Sequence, residues 1–85
     1  MTSPETFDRV TVFGADWCRD CIRSKALLDR VGADYEYIDL VAQPEAADRA
    51  LAISGRTNIP VIVFPDGAHL VEPSDAELTE ALAAR

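Results

Sequence analysis

Cysteine and histidine are the scarcest chemistry in this 85-residue sequence: two cysteines, Cys18 and Cys21, and one histidine, His69. No disulfide network can form, and a structural zinc site, which needs about four ligands, is out of reach without a partner chain. Long apolar runs are missing too; nothing approaches the roughly 20 residues of a membrane span. Basic charge is in short supply. Eight Lys and Arg against 15 Asp and Glu leave a net charge of −7, which argues against nucleic acid and anionic membrane as partners. The opening residues Met1-Thr2-Ser3-Pro4-Glu5 carry neither the basic nor the apolar region of a signal peptide. No linker, internal repeat or low-complexity tract breaks the chain. The hydrophobic fraction of 48% suits a globular fold. The expectation is one small domain over residues 1–85, acting as a monomer in a reducing compartment, the cytoplasm.

Both cysteines fall in one stretch, Trp17-Cys18-Arg19-Asp20-Cys21. A β-like run, Arg9-Val10-Thr11-Val12-Phe13, precedes it, and a helix-like run, Ile22 to Val31, follows. Cys-x-x-Cys between a strand and a helix is the pattern of a dithiol redox site. The first cysteine then stands at the helix N-terminus, where free N–H groups and the helix dipole favour an anion. The thiolate is the nucleophile of thiol–disulfide exchange. The second cysteine, one turn on, can attack a mixed disulfide and release the reduced substrate. A structural disulfide is a poor alternative, because so short a loop constrains little of the unfolded chain. A zinc ion shared across a dimer, or two inert buried thiols, are the other readings. On the dithiol reading, Cys18 is expected to be the accessible, reactive sulfur and Cys21 the buried one.

Periodicity sets out the rest. Val10, Val12 and Phe13 mark a buried first strand. In the first helix Cys21, Ser24, Leu28 and Val31 share a face, with Leu27 beside it, and Gly32 suits the C-cap. Tyr35, Tyr37 and Ile38 mark a second strand. Pro44 suits the first turn of a second helix running to Ser54 and ended by Gly55. Val61-Ile62-Val63-Phe64 reads as a central strand, Asp66-Gly67 as a hairpin turn, and Leu70 and Val71 as a fourth strand. His69 is expected to be a hairpin residue. Ser74 is an N-cap with Glu77 completing a capping box, and Leu78 and Leu82 share a face of the last helix. The implied architecture is α/β: a four-stranded mixed sheet in the order β-α-β-α-β-β-α, with helices on both faces.

Over nearly its whole length, roughly Val10 to Leu82, this pattern resembles the glutaredoxin family of the thioredoxin fold. The resemblance rests on Trp17-Cys18-Arg19-Asp20-Cys21, on Asn58-Ile59-Pro60 and on Val61-Ile62-Val63-Phe64-Pro65-Asp66-Gly67. It is strongest toward mycoredoxins and the small glutaredoxin-like electron donors of ribonucleotide reductase. It implies a thioredoxin-like fold, a cis peptide before Pro60 and a proline facing the dithiol. Two features depart from the family pattern. Arg19-Asp20 stands where many members have Pro-Tyr. Val71-Glu72-Pro73-Ser74-Asp75 replaces the Gly-Gly-x-Asp turn of glutathione-binding members, with Asp75 at the acidic position.

The resemblance implies dithiol exchange with no bound cofactor. Cys18 attacks a protein disulfide, or a mixed disulfide with a low-molecular-weight thiol, and Cys21 resolves the intermediate. Electrons would come from mycothiol, from glutathione, or from thioredoxin reductase with NADPH. An oxidised protein is the expected partner, ribonucleotide reductase among the possibilities. Trp17 would wall the sulfur, and Ile59 would offer its backbone N–H and C=O to an extended substrate. Arg19 and Arg56 are candidates for a substrate carboxylate, and Thr57 and Asp75 for further substrate contacts. Arg19 favours a thiolate at Cys18, whereas Asp20 and Asp16 oppose one, which predicts a fairly reducing protein. A different class of function, a metal or iron–sulfur carrier using Cys18, is the competing expectation.

Overall fold

A computed structural model describes residues 6–85; Met1-Thr2-Ser3-Pro4-Glu5, read above for targeting features, lie outside the described residues. The elements are β1 (Val10–Gly14), α1 (Arg19–Arg30), β2 (Tyr35–Asp39), α2 (Ala46–Ser54), β3 (Val61–Val63), β4 (His69–Val71) and α3 (Asp75–Ala83). They form one four-stranded sheet in the order β2-β1-β3-β4. β1 runs parallel to β2, with Val12 opposite Tyr37 and Gly14 opposite Asp39. β3 is antiparallel to β1 and to β4. The expected mixed sheet is therefore present, with β1 and β3 at its centre.

Strand alternation sends neighbouring side chains to opposite faces. Val12 and Ile62 pack with Leu27 and Leu28 of α1, Leu78 of α3 and Phe64. Phe13, Val61 and Val63 point the other way, onto Ala46 and Ala50 of α2 and Ile38 of β2. Helices α1 and α3 cover one face and α2 the other. Phe13, Phe64, Leu28, Ile62 and Leu78 are among the fully buried side chains, each stabilising the fold by roughly 1.5–3 kcal/mol relative to exposure. No helix among the described residues is long and apolar enough to cross a membrane.

The helix ends follow their local signals. Gly32, with φ 70°, follows the Val31 cap of α1, and Gly55, with φ 73°, caps α2. Ser74 accepts from the Glu77 N–H at 3.1 Å while Glu77 accepts from the Ser74 N–H at 2.8 Å. In the hairpin, the Gly67 N–H bonds the Phe64 carbonyl and the Phe64 N–H bonds that of Ala68.

Three expectations shift. Val31 does not join the buried face of α1; as the C-cap residue it lies past the last helical turn and is 55% exposed. Pro44 stands ahead of α2 rather than in its first turn, in a bend where its carbonyl accepts from the Ala47 N–H. Phe64 falls outside β3, because its backbone closes the hairpin, yet it remains buried.

Candidate active site

β1 ends at Gly14, a short turn passes Asp16 and Trp17, and α1 begins at Arg19, which leaves Cys18 as the N-cap of the helix. Its backbone is extended (φ −90°, ψ 114°), and its sulfur accepts the Cys21 N–H at 3.3 Å. A sulfur thus takes the place of the oxygen that caps most helices, against one of the four N–H groups left free by helix geometry. From the other side the Cys18 thiol donates to the Ile59 carbonyl at 3.7 Å. The Ile59–Pro60 bond is cis, and Pro60 is fully buried. The loop before β3 therefore faces the dithiol as expected.

The two cysteines are not bonded to each other, and both are enclosed, but unequally. Cys18 is 8% exposed and Cys21 0%. The accessible Cys18 expected from the sequence is corrected here: capping turns its sulfur inward, between the helix terminus and the Ile59 carbonyl. Burial is the main cause that pushes the Cys21 thiol from 9.0 up to about 12, reinforced by its hydrogen bond with Cys18 and by electrostatic interaction with Cys18 and Asp20. The Ala15 backbone opposes this in part.

Around the dithiol, the other predicted positions fall into separate groups. Trp17 is 73% exposed beside Cys18 in the turn. Arg19 is exposed on the first residue of α1. Arg56, Thr57 and Ile59 line one cleft of about 220 Å³ with Leu40, Ala50 and Leu51. This cleft meets the active site at Ile59, so the structure brings these three residues together on the α2 side. Asp75 lies elsewhere, on the first turn of α3, and is 3.6 Å from Arg23. His69 opens β4 and is exposed, in keeping with a hairpin role. Among the described residues, no three His, Cys, Asp or Glu side chains come together as a metal-binding group.

Arg23, Gly14 and Tyr37 were not singled out as site residues from the sequence. Arg23 pairs with Asp20 at 3.2 Å and with Asp75, and donates to the Pro73 carbonyl at 3.0 Å. It ties α1 to the approach to α3, and it offsets the Asp20 charge expected to act on Cys18. A Cβ at Gly14 would lie 3.0 Å from the Cys21 sulfur and 3.1 Å from the Tyr37 hydroxyl. A glycine ending a buried strand is itself a signal of close approach. For Arg23 the i,i+3 spacing from Asp20 is the local signal, whereas its contact with the Pro73 carbonyl, 50 residues away, has none.

Comparison with known proteins places these features. The Glutaredoxin family model matches residues 10–70. Mycoredoxin 1 of Corynebacterium glutamicum is 33% identical over 78 residues, covering 87% of this chain and 96% of that protein. Among solved structures, a glutaredoxin from Archaeoglobus fulgidus superimposes with a TM-score of 0.77 at 26% identity, over 87% of this chain and 85% of its own. A buckwheat glutaredoxin–glutathione complex does so with a TM-score of 0.65 at 27% identity, over 88% and 68%.

Proposed function

The chain belongs to the glutaredoxin family of thiol–disulfide oxidoreductases, and from that premise we propose that it reduces protein disulfides, or mixed disulfides with a low-molecular-weight thiol, through Cys18 and Cys21. One observation carries this reading: the Cys18 sulfur is held between the first turn of α1 and the Ile59 carbonyl. The helix N–H of Cys21 that holds this sulfur places the attacking atom at the helix terminus, facing the loop before β3. Cys18 attacks the substrate disulfide and becomes covalently joined to one substrate sulfur. Cys21 then attacks the Cys18 sulfur, and the substrate thiol leaves reduced.

The substrate runs over the Ile59–Pro60 loop. Its backbone pairs with that of Ile59, Trp17 walls the sulfur, and Arg56 and Thr57 contact the flanking chain. Support for the last two comes from the cleft they share with Ile59. Arg19, exposed at the helix terminus, is available to a carboxylate.

For electrons we favour mycothiol over glutathione. Support comes from the near full-length similarity to a mycoredoxin and from Asp75, already paired with Arg23. The oxidised partner is a cytoplasmic protein, with ribonucleotide reductase one candidate. A reduction assay with competing donors tests the reading: mycothiol, glutathione, and thioredoxin reductase with NADPH. Turnover fastest with mycothiol is expected. Equal or faster turnover with glutathione would overturn the donor assignment, and no turnover with any donor would overturn the function.

A further inference from the structure

Cys21 is fully enclosed, so any step that uses its sulfur must draw a proton out of a site closed to solvent. From β2, the Tyr37 hydroxyl reaches this site. The Cys21 sulfur and the Tyr37 hydroxyl lie 3.0 and 3.1 Å from the same point, the place a Cβ would occupy on Gly14. Both therefore border one small space that the glycine leaves open. β2 delivers Tyr37 there because Val12, two residues before Gly14 on β1, pairs with it. Tyr37 also lines a surface cleft of about 280 Å³ with Asp16, Ile22, Lys25, Ala26 and Asp29. It thus connects the enclosed sulfur with solvent. The Lys25 ammonium sits 4.4 Å from the ring centroid and helps fix its orientation.

We infer that Tyr37 is a positioning residue for the second half of the exchange, its hydroxyl donating a hydrogen bond across the Gly14 gap to the Cys21 sulfur as the thiolate forms. The inference rests on the proposed resolving role of Cys21. In the mixed disulfide, Cys21 loses its proton to solvent and its sulfur lone pair attacks the Cys18 sulfur. The bond between Cys18 and the substrate sulfur breaks. Its electron pair leaves on the substrate sulfur, which takes up a proton. The two cysteines end oxidised as a disulfide, the substrate ends reduced, and Tyr37 keeps its own proton throughout.

The phenol is suited to this. Burial first, then negative charge at Cys21, Asp16, Asp39 and Cys18, pushes it up to about 12, so it remains a neutral donor near pH 7. A hydrogen bond made to the thiolate favours that form and works against the burial that disfavours it at Cys21. The charged and titratable groups facing the pair are Cys18, Asp16, Asp20, Asp29, Asp39 and Lys25. Tyr37→Phe leaves all of them in place.

The test is stopped-flow reaction of the reduced protein with dithiobisnitrobenzoate. The first coloured thiolate reports attack by Cys18, and the second reports attack by Cys21. In Tyr37→Phe the first phase should match the unmodified protein. The second should slow about fivefold to tenfold, the worth of one hydrogen bond, and its pH profile should move to higher pH. An unchanged second phase, a first phase slowed as much as the second, or a second phase slowed equally at every pH would overturn the inference, the last two being what a packing defect produces. Failure of the dithiol reading itself looks different: Cys21 would then not attack the Cys18 mixed disulfide, and in the unmodified protein the second phase would be absent or its rate would depend on protein or reagent concentration.

Discussion

Gly14 and Cys21 approach closely: a single carbon added to Gly14 would stand 3.0 Å from the Cys21 sulfur and 3.1 Å from its Cβ. The end of β1 and the first turn of α1 thereby come into close contact, and the gap beside the enclosed sulfur is too small for an added carbon.

Gly14→Ala should therefore destabilise the protein by about 1–3 kcal/mol, the usual cost of overfilling a packed interior. Urea unfolding checks it. Because the crowding falls on Cys21, the same variant should disturb release of the second thiol more than attack by Cys18. Stability within about 0.3 kcal/mol of the parent would mean that the turn shifts freely.

Stability should fall on both sides of neutrality. Cys21, Tyr37 and Tyr35 all sit at about 12 in the folded state, raised from 9.0, 10.0 and 10.0, with burial the first cause in each. The folded state therefore holds protons that the unfolded chain has lost, and stability drains away as pH rises from about 9 toward 12. On the acid side, the Ala68 N–H holds the Asp66 carboxyl below 3.8, aided by Arg85, and the Ser74 N–H holds Glu77 below 4.5. Their contribution is present above those values and is lost as pH falls through the lowered ones. Denaturant midpoints across pH check both limbs. Cys21→Ala should flatten the alkaline one, on the order of 1 kcal/mol or more for the loss of one buried group.

Arg23 gathers Asp20, Asp75 and the Pro73 carbonyl, but its side chain is 45% exposed and its partners are comparably open. Screening by water limits what these pairs contribute. Arg23→Gln should cost about 1 kcal/mol or less, and the difference from the parent should shrink in high salt. Thermal melts at low and high ionic strength measure it. A salt-independent loss would indicate that the aliphatic stem, rather than the charge, holds α1 to the loop before α3.

What the chain discloses before folding is what short stretches decide alone. Ser74 and Glu77 cap α3 from three residues apart, and Gly55 and Gly67 take their positive φ where the chain must turn. Cys18 as a helix N-cap is equally local, since a strand and a helix meet at that residue. The misplaced details are tertiary or lie at element ends. Val31 follows the helical pattern but sits just beyond the last turn, and Pro44 supplies a bend instead of a first turn. Cys18 was expected to be open because exposure depends on Ile59, 41 residues away. The places of Arg23 and Tyr37 beside the dithiol are hidden from the sequence for the same reason: they are set by the approach of α3 and by the β1–β2 register.

The central claim is that Cys18 attacks and Cys21 resolves, and trapping tests it most directly. Cys21→Ser should be mixed with an oxidised protein substrate and analysed by mass spectrometry under non-reducing conditions. The predicted result is a lasting mixed disulfide, one per chain and located at Cys18, which the unmodified protein does not accumulate. Cys18→Ser should form no adduct and show no turnover. A Cys18→Ser variant that still reduces the substrate, or an adduct found at Cys21 in the unmodified protein, would contradict the assignment.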